Sequence, residues 1–480
     1  MIRTMKHFAL LIPLLAIFSL CVRVEAQPGA RKPNFVFIMA DDLGYGDLGF
    51  YGQKKIRTPH IDKLAAEGMR FTQYYAGHPV CAPSRCTLMT GLHTGHSYIR
   101  DNRGGLGTGK EGQEPIPADT VTVAKLLQRE GYATGCVGKW GLGGPDNSGE
   151  PNRQGFDFFY GYLCQAVAHN LYPTHLWKNT QKVMLEGNEP RNLVGKQYAH
   201  DLMAEEALGF IRQNKDKPFF LYLAWHLPHL AIQAPDDEIF QSYRKAFGDE
   251  QPYDGKKGYL PHKHPRAALA AMITRIDRDT GRVMDLLKEL KLDENTVVFF
   301  TSDNGGTWEL GGVDPTFFNN NGPLRGFKGS VYEGGIRVPM IARWPGKIAA
   351  GKETEHAAAH WDVLPTLMEL AGAEDRTPAK IDGLSFAATL HGKMQKPHDH
   401  LYWEIAGLQG LRSGDWKAVK PRNKQTIELY NLKEDLAEKN DLAAKEPEIA
   451  AKLTKLLSEA RTESELFPLV KKPAAKGKQN

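Results

Sequence analysis

The sequence predicts an α/β protein. Its core is a large mixed or parallel sheet sandwiched by helices, followed by a small C-terminal α+β subdomain of antiparallel strands. Three observations carry this prediction. Continuous apolar runs of strand length alternate with stretches of helical periodicity. Polar clusters recur just past those runs: Asp41 and Asp42, Lys139, His229, then Asp303 and Asn304. In open α/β sheets that edge is where ligands bind. Beyond Leu384 the pattern changes to short strand-like runs separated by turn residues.

Residues 1–26 read as an export signal. Arg3 and Lys6 form a positive start, Phe8 to Leu20 an apolar run too short for a comfortable membrane span, and Val24-Glu25-Ala26 a small-residue cleavage site. Leu20 before Cys21 argues against a lipoprotein anchor. The expected destination is the periplasm or the extracellular space, without stable membrane insertion. Asn34 to Ala40 reads as a buried strand, and Pro59 to Glu67 as a helix with Thr58 at its N-cap and Pro59 at its first position. Thr120 to Glu130 reads as a helix, Tyr132 to Val137 and Phe219 to Trp225 as strands, and Ala267 to Leu290 as a long amphipathic helix. Val297 to Thr301 and Ile336 to Ala342 complete the strands of a domain spanning 27–383. Runs at Leu401, Leu411, Trp416 and Glu428, and a helix from Ile449 to Ala460, build a subdomain over 384–465. Residues 466–480 form a basic tail predicted to be disordered.

The 480 residues are too many for one small core, and 41% hydrophobic with 24% charged residues is ordinary for a globular chain. A net charge of +5 at this length gives no reason to expect nucleic acid. Of five cysteines, Cys21 falls in the signal. Cys86, Cys136 and Cys164 remain beside Cys81, an odd remainder that is no disulfide framework, and Cys136 reads as a buried thiol.

The most specific string is Cys81-Ala82-Pro83-Ser84-Arg85-Cys86-Thr87-Leu88-Met89-Thr90-Gly91. Read as C-x-P-S-R-x-x-L-x-T-G, it resembles the maturation signature of the type I, formylglycine-dependent sulfatases of the alkaline phosphatase superfamily. The resemblance extends over roughly residues 33 to 445 and implies an alkaline phosphatase-like fold. It implies that Cys81 is oxidised to Cα-formylglycine by a formylglycine-generating or anaerobic sulfatase-maturating enzyme. It implies a metal cage of Asp41, Asp42, Asp303, Asn304 and the group made from Cys81. Hard oxygen donors of this kind suit Ca²⁺, or Mg²⁺, rather than zinc. Arg85 matches the arginine that braces the nucleophile, and Lys139 and Lys328 match the sulfate-contacting lysines. His229 matches the histidine that protonates the leaving oxygen, and Asp303, at the metal, is the candidate to take the attacking hydroxyl's proton. The implied reaction is hydrolysis of sulfate monoesters, with a sulfated carbohydrate as the expected substrate. A phosphonate or phosphodiester hydrolase and a non-catalytic glycan-binding relative are the alternatives.

One position departs from the family, which commonly reads G-K-W-H-L-G where this chain has Gly138-Lys139-Trp140-Gly141-Leu142-Gly143. Glycine is no base. The histidine-rich stretch 168–177 offers His169 and His175 as candidate substrate-binding residues or as a replacement for that histidine. His93, His96 and Arg100 read as structural support, and Asp362 as a cap or supporting residue. Trp403, Glu404 and Gln409 are candidates for sugar contact.

Overall fold

The structure, a computed structural model, describes residues 31–104, 111–190 and 192–470. The signal and residues 471–480 of the basic tail lie outside the described residues. A ten-stranded sheet forms the centre. Its strands are β1 (Asn34–Ala40), β2 (Met69–Phe71), β4 (Ala133–Lys139), β5 (Phe158–Tyr162), β6 (His175–Lys178), β7 (Gln181–Met184), β8 (Phe219–Ala224), β9 (Thr296–Ser302), β10 (Met340–Arg343) and β11 (Lys352–Thr354). Their order is β11-β2-β10-β9-β1-β8-β4-β5-β6-β7, and the central five, β9-β1-β8-β4-β5, are parallel. β10 pairs antiparallel with β9 and β2, and β6 and β7 add an antiparallel edge. β3 (Tyr74–Tyr75) and β12 (Ala358–Ala359) form a separate two-stranded pair.

Strand geometry explains the two-sided core. Successive side chains of β1 point to opposite faces. Val36 and Ile38 join a cluster with Ile61, Met203, Phe240 and Met272 from the helices on one side. Phe35, Phe37 and Met39 join a second with Leu88, Leu127 and Leu364 on the other. Burial on both faces is why the central strands read as continuous apolar runs rather than alternating ones.

Beyond the main sheet, β13 (Leu401–Ile405), β14 (Leu408–Ser413), β15 (Trp416–Lys420) and β16 (Glu428–Asn431) form an antiparallel meander. One of its faces packs on helix Pro447–Glu459 through Leu411, Leu429, Leu453 and Leu457. The other packs on the main domain, where Trp403 and Val419 meet Tyr75, Val331 and Trp361.

Several expectations shift. Of the strand expected over 336–342, Ile336 ends a short helix, Glu333–Ile336, and only Met340 to Ala342 are strand, in β10. Thr58 does not cap its helix; its hydroxyl takes the Gly49 N–H and donates to Asp62. Thr122 is the N-cap further along, accepting from the Lys125 N–H at 3.1 Å. Phe467 is buried in the main core, so packed chain continues past 465. Cys81, Cys86, Cys136 and Cys164 are all free and buried.

Candidate active site

Four parallel strands end on the same edge. β1 delivers Asp41 and Asp42, β4 ends on Lys139, β8 leads to His229, and β9 leads to Asp303 and Asn304. The Cys81 motif faces them as the first turns of helix Cys81–Thr90. Pro83 is tolerated there because first-turn N–H groups have no intrahelical acceptor. Cys81 and Arg85 are four residues apart and so share a helix face. Ser84 points elsewhere and staples the helix, accepting the Gly77 N–H and contacting the Asp303 carbonyl and His360 Nδ1.

Acids and bases interlock. Lys139 Nζ lies 2.6 Å from Asp41 Oδ2. Arg85 reaches Asp303 Oδ2 at 2.8 Å and Asp41 Oδ2 at 3.3 Å. Lys328 Nζ lies 2.7 Å from Asp42 Oδ1 and 3.4 Å from Cys81 Sγ. The Lys328 loop is anchored by its N–H on the Gly306 carbonyl and by the Gly329 N–H on the Pro79 carbonyl, beside the nucleophile position. Asp42 also accepts from Asn304 Nδ2 and from the Thr307 hydroxyl, both at 2.8 Å.

These contacts decide the charge states. Burial raises the Asp41 carboxyl, yet Lys139, His229 and Arg85 outweigh it and hold the group well below the usual range. Asp42 is likewise lowered, burial being outweighed by Lys328 and His229. Asp303 moves the other way: burial and the Asp41 charge push it up to about 7. Burial opposes the charge of Lys328, but Asp42 raises it well above the usual value. Burial and then Asp41 push the Cys81 thiol up to about 12, so the unmodified side chain is a poor nucleophile at neutral pH. Burial, Lys328 and Lys139 hold His229 down to about 4. Its Nδ1 lies 2.6 Å from the Leu230 carbonyl and therefore carries the proton, which leaves Nε2 facing the site, 3.6 Å from Asp42.

The residues present fit a hard cation. Ligand atoms of Asp41, Asp42, Cys81 and His229 lie within 4.8 Å of one another. The Asn304 Oδ1 beside them is buried with no hydrogen-bond partner. A buried amide oxygen left unpaired next to carboxylates is costly unless a cation takes it. Asp303 is turned to Arg85 and to the Asp42 N–H.

His169 stacks on His229 with ring centroids 5.1 Å apart and planes 8° from parallel, so it lines the site. His175 is not brought there; it pairs with Glu111 at 3.0 Å. Trp403, Glu404 and Gln409 are not placed for sugar contact. Trp403 is buried and donates to the Ala76 carbonyl, Glu404 pairs with Arg100 and Arg461, and Gln409 donates to the Tyr402 hydroxyl. Asp362 accepts the N–H groups of Ala359 and Leu384, and His96 pairs with Asp382. At Gly141, φ is +79° and an added Cβ would lie 3.1 Å from Gln165 Nε2. Gln165 therefore occupies the space beside Gly141. Its amide reaches Asn102, which accepts the Ala82 N–H next to Cys81. The sequence reading missed Thr307, Gln165 and Asn102. Thr307 had a signal, three residues past Asn304 in the same loop, whereas the two amides come from distant segments without a motif.

A sulfatase family model matches residues 33–373, and a model of the C-terminal part of N-sulphoglucosamine sulphohydrolase matches 327–463. Human arylsulfatase A is 35% identical, over 81% of this chain and 75% of that protein. The N-acetylgalactosamine-6-O-sulfatase of Bacteroides thetaiotaomicron is 29% identical, over 95% of this chain and 100% of that protein. Among solved structures, Ps i-CgsB superposes with a TM-score of 0.73 at 32% identity, covering 91% of this chain and 95% of that one. The chain belongs to the sulfatase family. It has the alkaline phosphatase-like fold and is a sulfuric ester hydrolase.

Proposed function

We propose that this protein is an exported sulfatase that removes sulfate from a carbohydrate, using a formylglycine made from Cys81 and a Ca²⁺ held by Asp41, Asp42, Asp303 and Asn304. The observation that carries the reading is the convergence of Lys139, Lys328 and His229 on Cys81 and the carboxylates. Solved sulfatases with sugar ligands support the substrate class; Ps i-CgsB has been crystallised with k-i-k-neocarrahexaose.

A hydrated aldehyde at Cys81 supplies a geminal diol, one hydroxyl to attack sulfur and one to expel sulfate. A bound divalent cation would stabilise negative charge there. The remaining work falls to the chain. Three carboxylates (Asp41, Asp42, Asp303) and three cations (Arg85, Lys139, Lys328) cancel formally, so a divalent ion would leave the site at +2, suited to a sulfate monoanion. Lys139 and Lys328, which here contact the carboxylates, orient the sulfate oxygens. Arg85 fixes Asp41 and Asp303. Asp303 accepts the proton of the attacking hydroxyl. His229 directs Nε2 at the site and delivers a proton to the departing sugar oxygen. The bound anion raises its affinity for that proton.

Mass spectrometry of the peptide containing Cys81, from protein made with a maturation system, tests the nucleophile. The expected peptide is roughly 18 Da lighter than the thiol form and reacts with a hydrazide, unlike the ordinary oxidation products. A thiol peptide from protein that nonetheless cleaves sulfate esters would overturn the proposal.

A further inference from the structure

We propose that Tyr259 and Trp308 form the subsite that receives the sugar ring bearing the sulfate. This rests on the carbohydrate reading above and names the residues that would carry it. Tyr259 lies between helices Glu238–Phe247 and Pro265–Glu289, with φ at +64°. A bulky residue in the left-handed region is an outlier, and such strain persists where the surroundings or a function hold it. Its ring stands edge-on to His169 at 5.3 Å and to His229 at 6.4 Å. Burial raises the pKa of its phenol against the opposing charge of Lys328. That hydroxyl has no hydrogen-bond partner among the described residues.

Trp308 follows Thr307, whose hydroxyl holds Asp42. It is 44% exposed, the most exposed tryptophan among the described residues. Its ring lies over Gly329, 3.8 Å from where a Cβ would stand, directly beside Lys328. The two segments are joined: Lys257 pairs with Glu309 at 3.1 Å, and Tyr253 packs on Gly312. Tyr259 thus stands against His229 and Trp308 over the glycine that follows Lys328, each an aromatic face beside a residue of the site. An apolar face with a few placed donors is what a pyranose, with one apolar face and a rim of hydroxyls, requires.

The test is calorimetric binding to protein whose Cys81 remains a thiol, so that nothing turns over. The probes are galactose 4-sulfate, galactose 6-sulfate, N-acetylglucosamine 6-sulfate and inorganic sulfate, with Ca²⁺ present. The tightest sugar is expected to lose about tenfold or more in affinity in Trp308→Ala and in Tyr259→Phe. Trp308→Phe is expected to keep most of it, and His175→Ala all of it. Inorganic sulfate, which has no ring, is expected to bind Trp308→Ala as it binds the parent. Thermal melting confirms that each variant is folded. Tight sugar binding that Trp308→Ala and Tyr259→Phe leave unchanged would overturn the subsite alone. Inorganic sulfate binding with no sugar bound by the parent protein would overturn the carbohydrate reading and the subsite with it.

Discussion

Lys328 is held by two oxygens of Asp42 and lies within reach of Cys81 Sγ. Its ammonium is thus placed where charge develops on a sulfate attacked from Cys81. Lys328→Ala is expected to lower kcat/KM on a sulfate ester by about 10²–10³-fold, in the range seen when one preorganised charge donor is lost. Steady-state kinetics on matured enzyme check this, and a loss below tenfold would remove Lys328 from the role. Gly141 makes the opposite kind of prediction. Restoring the family histidine puts a branched side chain at φ +79° and against Gln165. Gly141→His is expected to lower Tm without raising turnover, and a variant as stable as the parent but faster would contradict the account. The residues legible in the sequence were those tied to a strand end or a motif: the paired acids, Lys139, Arg85 and the histidine after Pro228. Those it missed, Thr307, Gln165, Asn102 and Tyr259, act from loops whose meeting depends on the whole fold. His175, read from the same histidine-rich stretch as His169, begins β6, next to the sheet's edge strand, and faces Glu111 instead.

At the level of elements, a buried charge cluster ties the meander to the main domain. Lys417, on β15, contacts Glu333 at 2.7 Å and Glu438 at 3.1 Å, and all three are fully buried. Glu438 also accepts the Glu333 N–H. Removing one member strands the others, so Lys417→Met is expected to cost about 3–5 kcal/mol, read from denaturant unfolding. The pH dependence has two limbs. Burial raises Glu333, but Lys417 and Arg337 outweigh it and lower the group to about 2, so its contribution is full above the unfolded value and lost as pH falls toward 2. Burial raises Glu438 to about 7 despite Lys417, so its contribution is full below the unfolded value and lost as pH rises through 7. From these two groups Tm is therefore expected to peak near pH 4.5 and to fall from there to about pH 7. Glu438→Gln is expected to flatten this fall, and an unchanged slope between pH 4.5 and 7 would refute the assignment.

Across the whole molecule, the acids on β1 and β9 meet at one edge, so a cation there would bind the folded chain alone. Chelation is expected to lower Tm and added Ca²⁺ to restore it, by about 2.7 kcal/mol at a hundredfold excess over Kd. A melting curve indifferent to both would exclude the metal. The fold was legible wherever strands are buried on both faces, as in β1, β8 and β9, because their apolar runs are unbroken. It was illegible at the margins. β7 is mostly exposed, and helix Glu238–Phe247 buries only Phe240 and Tyr243, so neither carries a strong apolar signature. Trp403 and Glu404 looked like glycan contacts because aromatic and acidic side chains suit both sugars and interdomain packing. Burial decided between them.

Cys81 has no exposed surface and lies beneath Lys328 and the Asp41 carboxylate. An oxidising enzyme must enclose that side chain, and the finished fold offers it nothing to grip. On the formylglycine reading proposed above, maturation would be a race against folding: a chain that folded with its thiol intact would stay inert. A peptide spanning residues 79–92 is expected to be converted by a maturation enzyme that leaves the folded thiol protein untouched. Equal conversion of the two would show that the fold opens at this helix.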